Sequence, residues 1–266
     1  EPDGDGEDAA ADGDRLPEVV TGQQLADMSD EELGDVINRV NVFARVKPDQ
    51  KLRLVECLKE QGQIVAVTGD GVNDAPALKS AHLGAAMGKT GTDVAKEASD
   101  MVITDDNFSS IYSAVEQGRT TFRNIRMATF FLLSTGAADV IVILSALAMR
   151  WELPLLPAQI LWCNVVTNGI ADVALGFERG DKALYRRPPR PPSEGVLDRM
   201  MIERLVLVGI WLATGTLAVF WWVNSHRNDG LDLARVAALT TLILFQKVHV
   251  FNCRSEDVSI FKKSLF

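Results

Sequence analysis

Two carboxylates and two glycines share one tight turn in the string TGDGVNDAPAL, at Thr68–Leu78. Asp70 and Asp74 offer the hard oxygen ligands that Mg²⁺ prefers, and the glycines beside them permit a close backbone approach. A helix beginning near Asp74 would turn free N–H groups toward an anion. Lys51 could add a point charge for a phosphoryl oxygen. These residues predict a site for Mg²⁺ and a phosphoryl group. In the simpler alternative, Asp70 and Asn73 are turn residues and Asp74 is a helix N-cap.

Two further carboxylates, Asp139 and Asp172, lie inside long apolar stretches. An ionisable group at that depth of a bilayer costs about 3 kcal/mol or more unless it faces protein, water or an ion. Four polar side chains of the second stretch lie at helical spacing, so three or four share one face: Asn164, Thr167, Asn168 and Asp172. Facing Asp139, they would form a mixed oxygen cage for a hard cation. Interhelical hydrogen bonding without transport is the alternative.

The elements that must position the first site alternate between strand and helix over residues 17–125. A helix opens at Pro48 and stops at Gly62, and the β-branched strand Ile64–Thr68 leads into the acidic turn. The pattern continues with a helix at Asp74–Ala81, an apolar run at Leu83–Met87, a helix around Asp93–Ala98 and an apolar run at Met101–Thr104. This alternation predicts an α/β fold with a parallel sheet and helices on its faces.

The elements that must position the second site are four apolar stretches near residues 127–149, 153–177, 205–224 and 236–253. The first three are long enough to span a hydrocarbon core of roughly 30 Å, and the fourth is weaker because Gln246 and Lys247 interrupt it. Arginines flank the first stretch and fill the loop between the second and third. The four stretches predict an all-α bundle of four membrane spans. The positive-inside rule predicts that the α/β segment lies in the cytoplasm. Arg123 and Arg126 are expected at headgroup level as flanking charge.

Composition excludes several classes of protein. The chain has 266 residues and a formal net charge of −9, but residues 1–14 alone hold seven acids and no base. A polybasic nucleic-acid binder is therefore not expected, and the acidic start is not a signal peptide. Three widely spaced cysteines exclude a disulfide scaffold or a cysteine-based zinc site, and the three histidines show no ligand spacing. We expect a disordered acidic leader (1–16), an α/β domain (17–125), a membrane region (126–253) and a cytoplasmic tail (254–266).

Several motifs together resemble the type II branch of the P-type cation-transporting ATPases, which includes the calcium and sodium/potassium pumps. Besides the string at Thr68–Leu78, the resemblance rests on FARVKPDQK at Phe43–Lys51, MGKTGTDVAK at Met87–Lys96, DDNF at Asp105–Phe108, LWCNVVTNG at Leu161–Gly169 and RPPRPP at Arg187–Pro192. It extends from about Val20 to Glu256.

The resemblance implies a partial haloacid-dehalogenase-like phosphorylation domain followed by the fifth to eighth of ten membrane helices. Asp70 would hold Mg²⁺, with Asp74 and Asn73 supporting the site, and Lys51 would contact the phosphoryl group of the ATP-derived intermediate. The residues that fall on cation-coordinating positions are Asp139, Asn164, Thr167, Asn168 and Gln246, while Asp172 matches a carboxylate position of sodium/potassium pumps. Gly136 stands where calcium pumps carry an Asn ligand, so Ca²⁺, Mn²⁺ and Na⁺ all remain possible cargo.

Parts of the family pattern do not occur in the sequence. The DKTGT string with the phosphorylated aspartate, the nucleotide-binding domain and the TGE loop are absent. We therefore expect a C-terminal part of a pump of the cell membrane, inactive alone and completed by an N-terminal half in cis or as a separate chain. The alternatives are a non-catalytic membrane subunit or regulatory remnant, and, less favoured, a membrane-tethered phosphatase, which would need a nucleophilic aspartate on a preceding strand.

Overall fold

The chain forms two compact units, one up to Ser113 and one from Ala114 onward. The computed structural model describes residues 19–180, 182–186, 188–191, 194–226 and 230–254. The expected acidic leader at 1–16 lies outside the described residues, as does the tail after Arg254. The division between the units falls within a helix, some residues before the boundary that composition placed at 125.

The first unit begins with a small parallel pair of strands, β1 (Val19–Thr21) and β2 (Val42–Ala44). Two short helices connect them, α1 (Gly22–Asp27) and α2 (Asp30–Ile37). Each of these helices starts with a capping box, in which the N-cap hydroxyl and a glutamine or glutamate three residues later satisfy free backbone donors. The strand pair and its two helices share a small apolar core made by Val20, Leu25, Leu33, Ile37 and Val40.

A second parallel sheet carries the acidic turn. Its strands β3 (Ala66–Gly69), β4 (Leu83–Met87) and β5 (Met101–Ile103) lie in chain order. The helices between and before them are α3 (Pro48–Glu60), α4 (Ala75–Ser80) and α5 (Asp93–Ala98). The predicted parallel α/β fold is confirmed, but it is divided into two sheets, because β1 and β2 pair with each other and not with β3.

Helices make up the second unit. A single helix, α6 (Phe108–Ala148), runs for 41 residues. The other elements are α7 (Pro157–Trp162), a π-helical stretch at Cys163–Asn168, α8 (Gly169–Gly176), the short α9 (Lys182–Tyr185), α10 (Arg199–His226) and α11 (Leu231–Asn252).

Three of these helices are long and apolar enough to cross a membrane: α6, α10 and α11. They contain or overlap the predicted spans at 127–149, 205–224 and 236–253. The span predicted at 153–177 is not confirmed as a single membrane-length helix, since α7 and α8 are separated by the π-helical stretch. A π-helical turn inserts an extra residue into the ladder of hydrogen bonds, and such turns are frequent at functional sites.

Apolar side chains both hold the helices together and point outward. One cluster joins α6, α10 and α11 through Val142, Phe220 and Leu242. Large apolar residues on the outer faces of α6 and α10, such as Leu144 and Trp211, are exposed. A soluble helix would place these residues inward, so the exposed faces are typical of helices that meet lipid.

Two arginines that were expected as flanking charges at headgroup level are buried against protein. Arg123 and Arg126 are 8% and 7% exposed, not at the surface as flanking charges. Arg126 donates to Glu194 Oε1 at 2.9 Å and to Asp198 Oδ2 at 2.6 Å, and Arg123 donates to the carbonyl of Arg179 at 2.9 Å. A buried guanidinium is tolerated when it is paired and hydrogen-bonded. Both arginines therefore tie α6 to the connection between α8 and α10.

Candidate functional site

The acidic turn opens into a cleft of about 420 Å³ at the carboxyl ends of β3 and β4. This is the edge at which parallel α/β sheets place their ligands. The cleft is lined by Lys51, Thr68, Gly69, Asp70, Asp74, Met87, Thr90 and Asp106. The structure therefore brings together three of the four predicted residues, and the fourth, Asn73, is exposed outside the lining.

Lys51 and Asp74 form an ion pair inside the cleft. The Lys51 ammonium donates to Asp74 Oδ1 and to the Thr68 carbonyl, both at 2.9 Å. The other oxygen of Asp74, Oδ2, accepts from the backbone N–H groups of Asp70 and Gly71 at 3.3 Å. A Cβ on Gly69 would lie 2.5 Å from the Cβ of Asp74. Glycine is therefore required there for Asp74 to fold back over the turn.

The ionised form of Asp74 is favoured by these contacts. Partial burial raises the pKa of Asp74, but the hydrogen bonds from Lys51 and the turn amides, with the Lys51 charge, outweigh it. The pKa of Asp74 is consequently lowered from its ordinary value. Lys51 is in turn held at a fixed place beside the end of β3.

Asp70 differs from Asp74 because its carboxylate is exposed and forms no hydrogen bond or ion pair with the described residues. Its backbone is fixed, since the Asp70 carbonyl accepts from the N–H of Thr92 at 2.9 Å. A free carboxylate on a fixed backbone at the mouth of the cleft suits a hard cation. The donor set here fits Mg²⁺, and Asp70 is the residue that would hold it.

Asp106 organises the opposite wall, and the sequence reasoning assigned it no role. Its carboxylate accepts from the N–H groups of Gly88, Lys89 and Thr90 at 2.6, 2.9 and 2.8 Å, and from the Thr90 hydroxyl at 2.9 Å. The backbone N–H of Lys89 is the largest contributor that lowers the pKa of Asp106 to about 2. A positive φ of 56° at Asp106 turns the chain back toward this loop. The signal was the DDNF string directly after a strand.

The second candidate site surrounds the π-helical stretch of the helical unit. Asn168 donates from its amide nitrogen to Asn164 Oδ1 at 3.2 Å, while its own Oδ1 is buried without a hydrogen-bond partner among the described residues. Thr167 and Asn168 are buried, whereas Asn164 is exposed. The stretch therefore buries one amide and one hydroxyl side chain, those of Asn168 and Thr167.

Asp139 on α6 is 6% exposed, and neither of its carboxylate oxygens accepts a hydrogen bond from any residue that the structure describes. The side chain of Asn164 is a polar neighbour of this carboxylate. Asp172 Oδ1, on α8, is also buried without a partner in the described part of the chain. Buried polar groups are nearly always hydrogen-bonded, so these carboxylate oxygens are exceptions within the described helical unit.

Helix α11 closes the site with Gln246 and Lys247. Gln246 is fully buried, accepts from Cys163 Sγ at 3.1 Å, and has a side-chain nitrogen without a partner among the residues described. The Lys247 ammonium donates to the Thr167 carbonyl at 2.7 Å and acts electrostatically on Asp172. In the sequence alone, Lys247 marks only an interruption of an apolar stretch. Its charge inside that stretch was the available signal.

The two sites share one property. Within the described ranges, no group of three or more His, Cys, Asp or Glu side chains could hold a metal ion. A cation at either place would therefore be bound by few carboxylates together with amide, hydroxyl, carbonyl or external oxygens, as hard cations allow.

Comparison with known protein families assigns both halves of the chain. Residues 152–266 match the model described as cation transporting ATPase, C-terminus. Residues 13–82 and 50–115 match two models described as haloacid dehalogenase-like hydrolase. The hydrolase models thus cover the α/β unit, and the ATPase model covers most of the helical unit.

Three relatives match over 93% of this chain. They are the calcium-transporting ATPase of Bacillus subtilis (44% identical), the probable cation-transporting ATPase F of Mycobacterium tuberculosis (42%) and calcium-transporting ATPase 1 of Schizosaccharomyces pombe (41%). The chain spans only 28%, 27% and 28% of the length of these three proteins. On these matches, the chain belongs to the P-type cation-transporting ATPases and corresponds to the C-terminal portion of those proteins.

Proposed function

We propose that this chain is part of an ATP-driven cation pump, supplying the Mg²⁺-binding edge of the phosphorylation domain and part of the intramembrane cation site. The observation that carries the proposal concerns two carboxylates. Asp139 is buried with neither oxygen partnered in the described helical unit, and the half-buried Asp172 has one such oxygen, Oδ1. A cation that binds and leaves would satisfy them in turn. A purely structural role would leave them unsatisfied at a standing cost.

On the phosphorylation side, Mg²⁺ bound by Asp70 would neutralise charge on a transferring phosphoryl group. Lys51 would contact a phosphoryl oxygen, and Asp74, by its ion pair and its two amide contacts, would hold Lys51 and the turn in place. Asn73 would support the turn. The phosphorylated aspartate would come from a segment with the DKTGT string, and ATP would be its substrate.

On the membrane side, a cation would lie beside Asp139 and the polar side chains of the π-helical stretch, Asn168 among them, and Asp172 would follow about one helical turn further along α8. Asn164, Thr167 and Gln246 would complete the cage, and Lys247 would contribute a fixed positive charge beside Asp172. That fixed charge favours a small number of bound cations, since it already neutralises part of the site. Among Ca²⁺, Mn²⁺ and Na⁺, the names of the relatives favour Ca²⁺.

The orientation belongs to the same proposal. The α/β unit would lie in the cytoplasm and the apolar helices in the lipid of the cell membrane, with the arginine-rich connection after α8 on the cytoplasmic side. Domain movement after phosphorylation would then open the cation site to alternate sides.

The proposal is tested by cation-dependent phosphorylation from radiolabelled ATP, in a pump in which this chain is joined to or assembled with the DKTGT segment. Asp139→Asn and Asp172→Asn should each abolish phosphorylation stimulated by Ca²⁺ or Mn²⁺, because each removes a negative charge from the cage. The matched control is Asp232→Asn, at an exposed position on α11.

The outcomes separate the proposal from a non-catalytic membrane subunit. Loss of cation dependence in both site variants, with an unchanged control, supports the pump. Full cation dependence in both variants refutes the cage. Absence of any phosphorylated intermediate in the assembled wild-type protein would instead favour the regulatory subunit.

A further inference from the structure

The helical unit contains a cavity of about 530 Å³ that shares no lining residue with the candidate cation site. It lies between the first half of α6 and the connection that follows α8. Its lining consists of Gly118, Arg119, Phe122, Arg123, Arg126, Leu184, Pro188, Pro189, Arg190, Pro191 and Glu194. The described lining therefore includes four arginines and one glutamate.

Two of the arginines are already engaged in holding the wall together. Arg119 donates to the carbonyls of Leu184 and Tyr185 at 3.3 and 3.1 Å, and Arg126 pairs with Glu194 at 2.9 Å. These contacts fix the shape of the cavity. They also engage Glu194, the carboxylate among the described lining residues.

The other two arginines retain unused capacity. Arg123 is buried, and its Nε has no hydrogen-bond partner among the residues described. Arg190 is exposed and forms no ion pair within the described ranges; its guanidinium carbon lies 3.5 Å from the centroid of the Phe122 ring. Stacking on the ring holds the guanidinium plane in place while leaving its N–H groups free for an anion.

The remaining lining is apolar, and the position along α6 gives it meaning. Immediately after Arg126, the sequence from Met127 to Met149 carries one charged residue. If the apolar helices cross a membrane, as proposed above, the cavity lies at the level where lipid phosphates meet the hydrocarbon. Phe122, Leu184 and the prolines would then face the glycerol and upper acyl region of a lipid.

We propose that this cavity binds the phosphate group of an anionic phospholipid, with Arg190 and Arg123 as its donors. Arginine forms paired hydrogen bonds with phosphate oxygens, and basic pockets at the membrane surface between helices are typical lipid headgroup sites. The apolar lining distinguishes a lipid from free phosphate, which would gain nothing from Phe122 or Leu184.

The test uses the purified chain in a neutral detergent, titrated with short-chain phosphatidylglycerol, short-chain phosphatidylcholine or inorganic phosphate and followed by native mass spectrometry. Phosphatidylglycerol should bind more tightly than either of the others. Arg190→Gln should weaken its binding by about fivefold, as expected for one arginine at a membrane surface. Arg186→Gln, an exposed arginine on the same connection but outside the cavity, is the matched control.

A second variant guards against a general loss of structure. Phe122→Leu keeps the apolar lining but removes the ring under Arg190, so it should also weaken phosphatidylglycerol binding while helicity stays unchanged. Equal binding of phosphatidylglycerol and phosphatidylcholine, or equal losses in Arg190→Gln and Arg186→Gln, would overturn the site. Inorganic phosphate binding as tightly as the lipid would overturn the lipid assignment. Because the assay involves no cation or ATP, its failure is distinct from failure of the pump proposal.

Discussion

Replacing Arg126 by methionine tests whether this arginine is a buried structural group or a flanking charge. Met keeps an unbranched apolar stem, so the change removes chiefly the charge and its hydrogen bonds. The Arg126 side chain is 9% exposed and donates to Glu194 at 2.9 Å and Asp198 at 2.6 Å, whose side chains are 32% and 41% exposed. It also contacts Met201 Sδ at 2.8 Å.

The magnitude follows from that geometry. A hydrogen bond to a charged group contributes about 1.5–3 kcal/mol, and breaking a fully buried ion pair costs about 3–5 kcal/mol. Since Glu194 and Asp198 keep 32% and 41% of their side-chain surface in contact with solvent, they can be partly rehydrated. We therefore expect a loss of about 3 kcal/mol in the free energy of unfolding, or a fall in Tm of roughly 6–12 °C.

The assay is thermal unfolding of the purified chain in detergent, followed by tryptophan fluorescence. Arg199→Met is the matched control, because Arg199 pairs with Glu203 at 3.2 Å while both side chains are largely exposed. Such a pair is worth at most about 1 kcal/mol. Adding Glu194→Gln and Asp198→Asn to Arg126→Met should recover part of the loss. Equal, small falls in Tm for Arg126→Met and Arg199→Met would refute the reasoning and restore Arg126 as a flanking charge.

Three further predictions concern the two candidate sites. Asp106→Asn should lower the free energy of unfolding of the α/β unit at neutral pH. Because the folded pKa of Asp106 is lowered to about 2, its stabilisation is present above about pH 4 and is lost as the pH falls toward 2. The unfolding free energies of wild type and variant should therefore converge near pH 2 in an acid titration. Gly69→Ala should displace Asp74 and weaken Mn²⁺ binding at the cleft severalfold by electron paramagnetic resonance, whereas Gly118→Ala, where a Cβ meets nothing within 4 Å, should leave it unchanged; equal binding in both would contradict the packing argument. Lys247→Met should raise the apparent cation affinity in the phosphorylation assay by about tenfold, because ~1.4 kcal/mol of repulsion between the lysine and the cation is relieved. Lys79→Met on α4 is the control. Unchanged affinity in Lys247→Met would place the Lys247 charge outside the cation site.

Local signals in the sequence predicted most of the α/β unit. The run Leu83–Met87 and the helix Asp93–Ala98 have the bounds that the structure gives to β4 and α5, because a β-branched or small-residue run and an N-capping threonine are local features. The division into two sheets was not predicted, since it depends on which strand edges pair. Strand pairing is a long-range choice that composition does not encode.

The sites were predicted as sets of residue types and less well as arrangements. Lys51, Asp70 and Asp74 do share a cleft. The turn after β3 confines Asp70 and Asp74, and Lys51 reaches the turn from α3 by its ion pair with Asp74. The engagement of both Asp74 oxygens could not be read from spacing, nor could the π-helical register at Cys163–Asn168. The interior position of Lys247 was missed for the same reason, since only tertiary packing decides whether a lysine on an apolar helix faces protein or the surface.

The contacts that α6 makes with the end of α8 limit how the cation cage can change shape. Asn124 donates to the carbonyls of Gly176 and Glu178 at 3.0 and 2.7 Å. It therefore joins α6 to the C-terminal end of α8, the helix that carries Asp172. A slide of either helix by one residue, about 1.5 Å, would break both bonds at once. The two helices that hold the carboxylates thus have few independent degrees of freedom along their axes. Axial sliding of α6 past the end of α8 is therefore opposed at Asn124, which favours rotation of the two helices as a pair.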